Sequence, residues 1–213
     1  LSAPSVNKTL VLQWVLGKFH QLPDLRAAAS RVLATGSAPH YENSGMTRNW
    51  VTGMDKIDSI LAFWFGMADD PGYELKREKW FAKDDSFDAD IRNRFLRHYE
   101  QATGGEFDDW RNSARGCLAL ILLFDQFPRN MFRESRRTFG TDPQALALAC
   151  HAVRNNFDKS VPPVHRTFFY LPFEHSENLD DQRRSVDLYR HCNPYPGSER
   201  SLNYAIRHFM VIK

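Results

Sequence analysis

Helical spacing of apolar residues runs through most of the chain, while the alternation of apolar and polar residues that is typical of half-buried strands is nearly absent. Phe87, Ile91, Phe95 and Tyr99 recur every four residues, so they fall on one face of a helix. Residues that favour helix starts and stops punctuate this pattern, namely Gly66, Asp84, Gly104, Thr141–Asp142–Pro143 and Pro162–Pro163. The sequence therefore predicts an all-α protein.

The run from Cys117 to Phe124 is apolar on nearly every side. Periodicity alone cannot separate a buried helix from a buried strand here, but partner strands are lacking elsewhere, which favours a central buried helix. We expect eight or more helices with short connections, stacked as antiparallel hairpins in a tetratricopeptide-like arrangement. A search for a repeat of about 34 residues finds no clean one.

Residues 1–53 differ in character from the rest of the chain. Residues 1–50 contain five basic and two acidic residues, and the segment between Leu10 and Leu22 is amphipathic. Such a composition is typical of an organellar presequence, but it equally fits a helical arm that docks on the main body. We expect an N-terminal arm and linker over 1–53, a compact domain over 54–213, and residence in the mitochondrial or another organellar matrix, with the cytoplasm as the alternative.

Composition excludes several classes of protein. The net charge of +2 is too small to indicate binding to nucleic acid or to an anionic membrane. The three cysteines lie far apart without CxxC spacing, which indicates reduced thiols. No apolar run reaches the roughly 18 residues of a membrane-spanning helix, so we expect a soluble protein. Phosphate-loop, dinucleotide and GxSxG motifs are absent, and we predict no cofactor.

Two polar segments each follow a strongly apolar stretch, namely residues 123–130 and 171–177. Each contains a proline at which we expect the chain to turn, and we expect Glu174 to begin a long polar helix that runs towards Arg190. Buried polar groups that lack partners cost roughly 1–3 kcal/mol each, so these segments predict a polar centre inside a helical protein.

The candidate residues of this centre are Asp125, Gln126, Arg129, Asn130, Glu174, His175 and Glu177. The guanidinium of Arg129 suits a carboxylate or phosphate, and His175 could act as a general acid or base oriented by Glu174 or Glu177. The structural alternative, which is the default interpretation, is that Arg129 pairs with Asp125, Glu174 or Glu177 and caps backbone carbonyls, so that the centre serves only stability. His208 could approach the same centre. No pair of histidines four residues apart supports a zinc site, so no metal is predicted.

A small basic patch, Arg133, Arg136 and Arg137, follows the first polar segment. Solvated surface is the default interpretation of such a patch, with a contact to nucleic-acid phosphates as the alternative.

The chain from Met54 to Lys213 resembles the bacterial domain-of-unknown-function 924 family, which implies a tetratricopeptide-like all-helical fold. The matching segments are Phe63–Gly66, Lys79–Phe81, Asp109–Trp110, Asp125–Asn130 and Tyr170–Glu177, and Gln182 and Ser185 continue the last of them. The resemblance therefore adds Gln182 to the candidate site residues. Members usually continue with a Phe-Gly-Arg-Phe-Pro-His-Arg-Asn stretch after the segment matching 205–212, whereas this chain stops at Lys213, so we expect a symmetrical polar centre to be incomplete.

The function that we predict is that of a non-catalytic helical interaction protein, an accessory or structural subunit of a larger assembly. Its partners would be other protein subunits, bound through the N-terminal arm and the helical surface. Nucleic acid would be a partner only within a ribonucleoprotein assembly. The alternative is a small-molecule enzyme or anion-binding protein that uses the polar centre.

Overall fold

The computed structural model describes residues 54–192 and 194–213, and these residues form helices and connecting turns without a strand. The all-α prediction is confirmed. The predicted arm and linker over 1–53 lie outside the described residues. The α-helices are α1 Lys56–Phe65, α2 Asp85–Thr103, α3 Ala114–Ile121, α4 Phe127–Met131, α5 Asp142–Arg154, α6 Pro163–Glu174, α7 Leu179–His191 and α8 Ser198–Ile212.

Local signals in the sequence set most of these boundaries. Asp84 caps α2 by accepting hydrogen bonds from the backbone N–H groups of Ser86 and Phe87 at 2.9 and 3.1 Å. Ser113 caps α3 in the same way, and Gly66 ends α1 with a φ of 92°. None of the described helices has the length and apolarity needed to cross a bilayer.

An aromatic core forms where α1, α2, α4 and α6 meet. The ring of Trp64 on α1 is fully buried and packs against Trp80, Phe87, Phe127 and Phe168 at centroid distances of 5.6–6.1 Å. The indole N–H of Trp80 donates to the backbone oxygen of Trp64 at 2.9 Å. This cluster fixes the helices that carry the two polar segments.

The chain does not turn at Pro128, contrary to the prediction. A π-helical turn, Leu122–Gln126, joins α3 to α4, and Pro128 lies in the first turn of α4. Proline has no N–H to donate to the carbonyl of Phe124, four residues earlier. The hydroxyl of Thr141, 17 residues further along the chain, donates to that carbonyl at 2.7 Å instead. A side chain distant in sequence therefore satisfies the carbonyl that the proline leaves without a donor.

Replacement of Thr141 by valine should lower the free energy of unfolding by about 1–3 kcal/mol, because the buried carbonyl of Phe124 loses its donor. The cost should fall in the Pro128→Ala background, where the new N–H of residue 128 can supply the bond. Chemical denaturation measures both effects. Thr103→Val is the matched control, since its hydroxyl donates to an exposed carbonyl, that of Glu100. Equal costs for the two threonine variants would contradict this assignment.

The second polar segment also differs from the prediction. Pro172 lies inside α6, which ends at Glu174, and the next helix, α7, begins only at Leu179. The side chain of Asn178 caps α7 by accepting from the backbone N–H groups of Asp180 and Asp181. The expectation that Glu174 begins a helix was therefore wrong. The backbone N–H of His175 donates to the carbonyl of Leu171 at 2.9 Å, so helical bonding continues past the proline.

Candidate functional site

The polar centre is organised around Asp125, whose side chain is fully buried in the π-helical turn. One carboxylate oxygen, Oδ1, lies 2.6 Å from Nδ1 of His175 and 3.2 Å from Nη1 of Arg129. The side-chain amide of Gln126 donates to the other oxygen. These residues come from two separate parts of the chain, since Asp125 and His175 are 50 residues apart.

These contacts keep Asp125 ionised. Burial by itself would raise its pKa, but the charge and hydrogen bond of His175, together with Arg129 and Gln126, outweigh burial and hold the pKa below its usual range. A carboxylate without partners would cost several kcal/mol in such a site. The centre therefore contains a fixed negative charge inside the helical core.

Arg129 is held by a second carboxylate that the sequence analysis did not identify. Its guanidinium makes a two-point contact with Asp142 at 2.9 and 3.0 Å and also donates to the backbone oxygen of Asp125 at 2.7 Å. The predicted alternative pairing with Asp125 is present, whereas the pairings with Glu174 and Glu177 are not. Asp142 lies in the first turn of α5, where its sequence context indicated only a helix start.

His175 follows directly after the end of α6, and 18% of its side chain is exposed. An ionised Asp125 accepts a hydrogen bond, so Nδ1 carries a proton, and in the neutral ring Nε2 carries the lone pair. Among the described residues, Nε2 has no hydrogen-bond partner. A buried carboxylate that orients an imidazole in this way leaves Nε2 able to take up and release a proton.

Glu174 places a second carboxyl group beside His175. Burial raises its pKa and the charge of Asp125 adds to this, while His175, His208 and Lys76 act in the opposite direction. Nε2 of His208 on α8 lies 3.7 Å from a carboxylate oxygen of Glu174, so the expectation that His208 approaches the centre is met. The site thus contains two carboxyl groups whose pKa values are displaced in opposite directions.

The remaining candidates have supporting or separate positions. Gln182 donates to the backbone oxygens of Glu174 and Ser176 at 2.7 and 2.5 Å, which fixes the connection between α6 and α7. The amide of Asn130 donates to Asp88 on α2 at 2.7 Å, outside the contacts around Asp125. Glu177 is exposed and has no contact with the centre. The centre therefore consists of Asp125, Gln126, Arg129, Glu174 and His175, with Asp142 and His208 as additional members.

Two buried polar atoms belong to side chains of α7, the helix that follows the connection from α6. The side-chain oxygens of Gln182 and Ser185 are buried and have no hydrogen-bond partner within 54–192 and 194–213. Across the same ranges, no group of three or more His, Cys, Asp or Glu side chains is placed to hold a metal ion.

Comparisons with known proteins give a family and a structural relative. A family model described as a bacterial protein of unknown function, DUF924, matches residues 60–213. A solved structure of the protein of unknown function ATU0120 from Agrobacterium tumefaciens is similar, with 35% sequence identity and a TM-score of 0.64. The similarity covers 73% of this chain and 81% of that one. No curated protein matches.

Proposed function

The chain belongs to the DUF924 family of bacterial proteins of unknown function, and from that premise we propose that it is a small-molecule enzyme in which the Asp125–His175 pair moves a proton. The segment that matches the family, 60–213, includes every residue of the polar centre. The observation that supports this proposal is the 2.6 Å contact between the buried Asp125 and Nδ1 of His175, together with an Nε2 that lacks a partner among the described residues.

The roles follow from the chemistry of the groups. His175 accepts a proton at Nε2 from a substrate or from a water molecule, and Asp125 stabilises the imidazolium that forms. Glu174, whose pKa is raised by burial, is the group that we assign as proton donor. Arg129 and Gln126 position Asp125. The reaction class is proton abstraction or water activation, without a covalent intermediate on the protein.

Replacement of His175 by asparagine tests this proposal. The asparagine side chain can still donate to Asp125 but has no counterpart of Nε2, so the centre is preserved while proton transfer is lost. We expect turnover to fall by about 10²–10⁴-fold. The measurement is the conversion of a panel of small anionic metabolites, followed by NMR with the full chain.

His191→Asn is the matched control for that experiment. His191 is an exposed histidine on α7 whose Nδ1 lies 2.7 Å from the backbone oxygen of Asp187, remote from the centre. Its replacement should leave turnover unchanged. Wild-type turnover in the His175→Asn protein would sink the proposal, as would a failure of the wild-type chain to convert any compound that binds it.

A non-catalytic interaction protein, acting as an accessory subunit of a larger and possibly organellar assembly, is our second proposal. It is favoured by exposed apolar side chains near the end of α8, where Met210 and Val211 are 63% and 83% exposed. A tetratricopeptide-like stacking of the helices would suit this role. The two proposals differ in two measurable respects, because a subunit would co-purify with its partners at fixed stoichiometry and would tolerate His175→Asn.

A further inference from the structure

We propose that a second site, an open cleft that Arg129 helps to line, binds a nucleotide, that is, a phosphate group joined through a sugar to a planar base. The cleft has a volume of about 610 Å³ and is lined by Lys83, Arg129, Arg133, Arg136, Thr138 and Phe139, among others. A volume of this order is typical of small-ligand sites. His175 is not among the lining residues, whereas Arg129 belongs both to the polar centre and to this cleft.

The walls of the cleft contain two kinds of cation. Arg129 is fixed by Asp142 and Asp125, and Arg133 is fixed by Asp88, so both guanidinium groups are held in place before a ligand arrives. Lys83 and Arg136, by contrast, have no ion-pair partner among the described residues. The lining therefore has four cations against one carboxylate, that of Glu134, and this excess of positive charge suits a phosphate group.

Phe139 provides a surface for a planar ring. It lines the cleft, and 62% of it is exposed, which leaves a large apolar surface in contact with water. The guanidinium of Arg129 lies 5.7 Å from the centre of its ring. Stacking of a base on an exposed aromatic side chain contributes about 1–3 kcal/mol. An inorganic phosphate or a simple sugar phosphate would leave this face unused.

The turn that carries Arg136 and Phe139 is anchored at several points. It is a short 3₁₀ helix, Arg136–Phe139, whose buried Thr138 donates to the backbone oxygen of Phe132 at 2.5 Å. The guanidinium of Arg137 packs 4.0 Å from the ring centre of Phe132. Thr138 and Arg137 hold the turn that carries Arg136 and Phe139. The backbone of this turn therefore needs little further ordering when a ligand binds, so the entropic cost of binding is small.

Titration calorimetry of the full chain with AMP, ribose 5-phosphate and adenosine tests the proposal. We expect AMP to bind more tightly than either fragment. Phe139→Ala should weaken AMP binding by about 5–150-fold, since a stacked base contributes 1–3 kcal/mol, while leaving the affinity for ribose 5-phosphate unchanged. Arg136→Ala should weaken both phosphate compounds and leave the weak binding of adenosine unchanged.

Matched controls keep this test separate from effects on folding and from the first site. Phe81→Ala removes another exposed aromatic ring and Arg190→Ala another exposed arginine, both outside the cleft, and neither should alter AMP binding. His175→Asn should bind AMP like the wild type. Absence of AMP binding at millimolar concentration, equal affinity for AMP and ribose 5-phosphate, or full AMP affinity in Phe139→Ala would each overturn the proposal.

Discussion

Replacement of Asp125 by alanine is expected to lower the free energy of unfolding by about 3–5 kcal/mol, the usual cost of breaking a buried ion pair from one side. The variant leaves two side chains without their hydrogen-bond acceptor, that of the partly buried His175 and that of the buried Gln126. It also removes one of the two carboxylates next to Arg129. Chemical denaturation followed by circular dichroism measures the effect. A loss below 1 kcal/mol would show that the centre contributes little to stability.

The loss of stability in the same variant should depend on pH in a defined direction. The pKa of Asp125 is held below its usual range in the folded protein, so its ionised form stabilises the fold above the unfolded pKa of about 3.9. That stability is lost as the pH falls through the lowered folded pKa. The difference in the free energy of unfolding between the wild type and Asp125→Ala should therefore have its full size at pH 7 and decrease as the pH falls below about 4.

An exposed ion pair provides the control for Asp125. Asp187 and Arg190 form an i, i+3 pair on α7 at 3.4 Å, and both side chains are more than half exposed. Solvent screens such a pair, so Asp187→Ala should change the free energy of unfolding by less than about 1 kcal/mol. A cost equal to that of Asp125→Ala would mean that burial does not explain the larger effect.

Replacement of Trp64 by alanine should cost about 3–5 kcal/mol, the range measured for large aromatic side chains in cores. Trp64 is fully buried and contacts the rings of Trp80, Phe87, Phe127 and Phe168, so its loss leaves a cavity at the meeting point of four helices. Thermal and chemical denaturation measure the change.

Phe81 is the matched aromatic control for Trp64. It lies next to Trp80 in the sequence, but half of it is exposed, so Phe81→Ala should leave only a small cavity. We expect Phe81→Ala to lower the free energy of unfolding by much less than Trp64→Ala does. If the two costs were similar, the cluster around Trp64 would not be the energetic centre of the fold.

Local signals predicted the helices well because those signals act within a few residues. The four-residue spacing from Phe87 to Tyr99, the cap at Asp84 and the glycine stop at Gly66 each depend on neighbours in the same turn. The apolar run from Cys117 to Phe124 was likewise predicted as a buried helix, and the structure places it in α3 and the π-helical turn that follows. The sequence also predicted that Asp125, Arg129 and His175 share one polar centre, since polar groups beside apolar runs require partners, and the structure brings these three side chains together.

The prolines show where local reasoning failed. Pro128 and Pro172 were expected to turn the chain, but both lie within helices. At Pro128 the reason is a bond from Thr141 to the carbonyl of Phe124, and no pattern near the proline reveals that donor. The misplacement of Glu174 followed from the same assumption at Pro172.

The sequence alone therefore determined the all-helical class, the helix ends set by local caps and the residue types of a polar centre. Only the tertiary structure decided which of those residues meet. It brought His175 to Asp125 across 50 residues, gave Arg129 the carboxylate of Asp142, and left Glu177 outside. The physical reason is the sequence distance over which each interaction acts. Caps and periodicity act within a turn or two, whereas the partners of a buried charge come from helices that are distant in sequence and pack together in the fold.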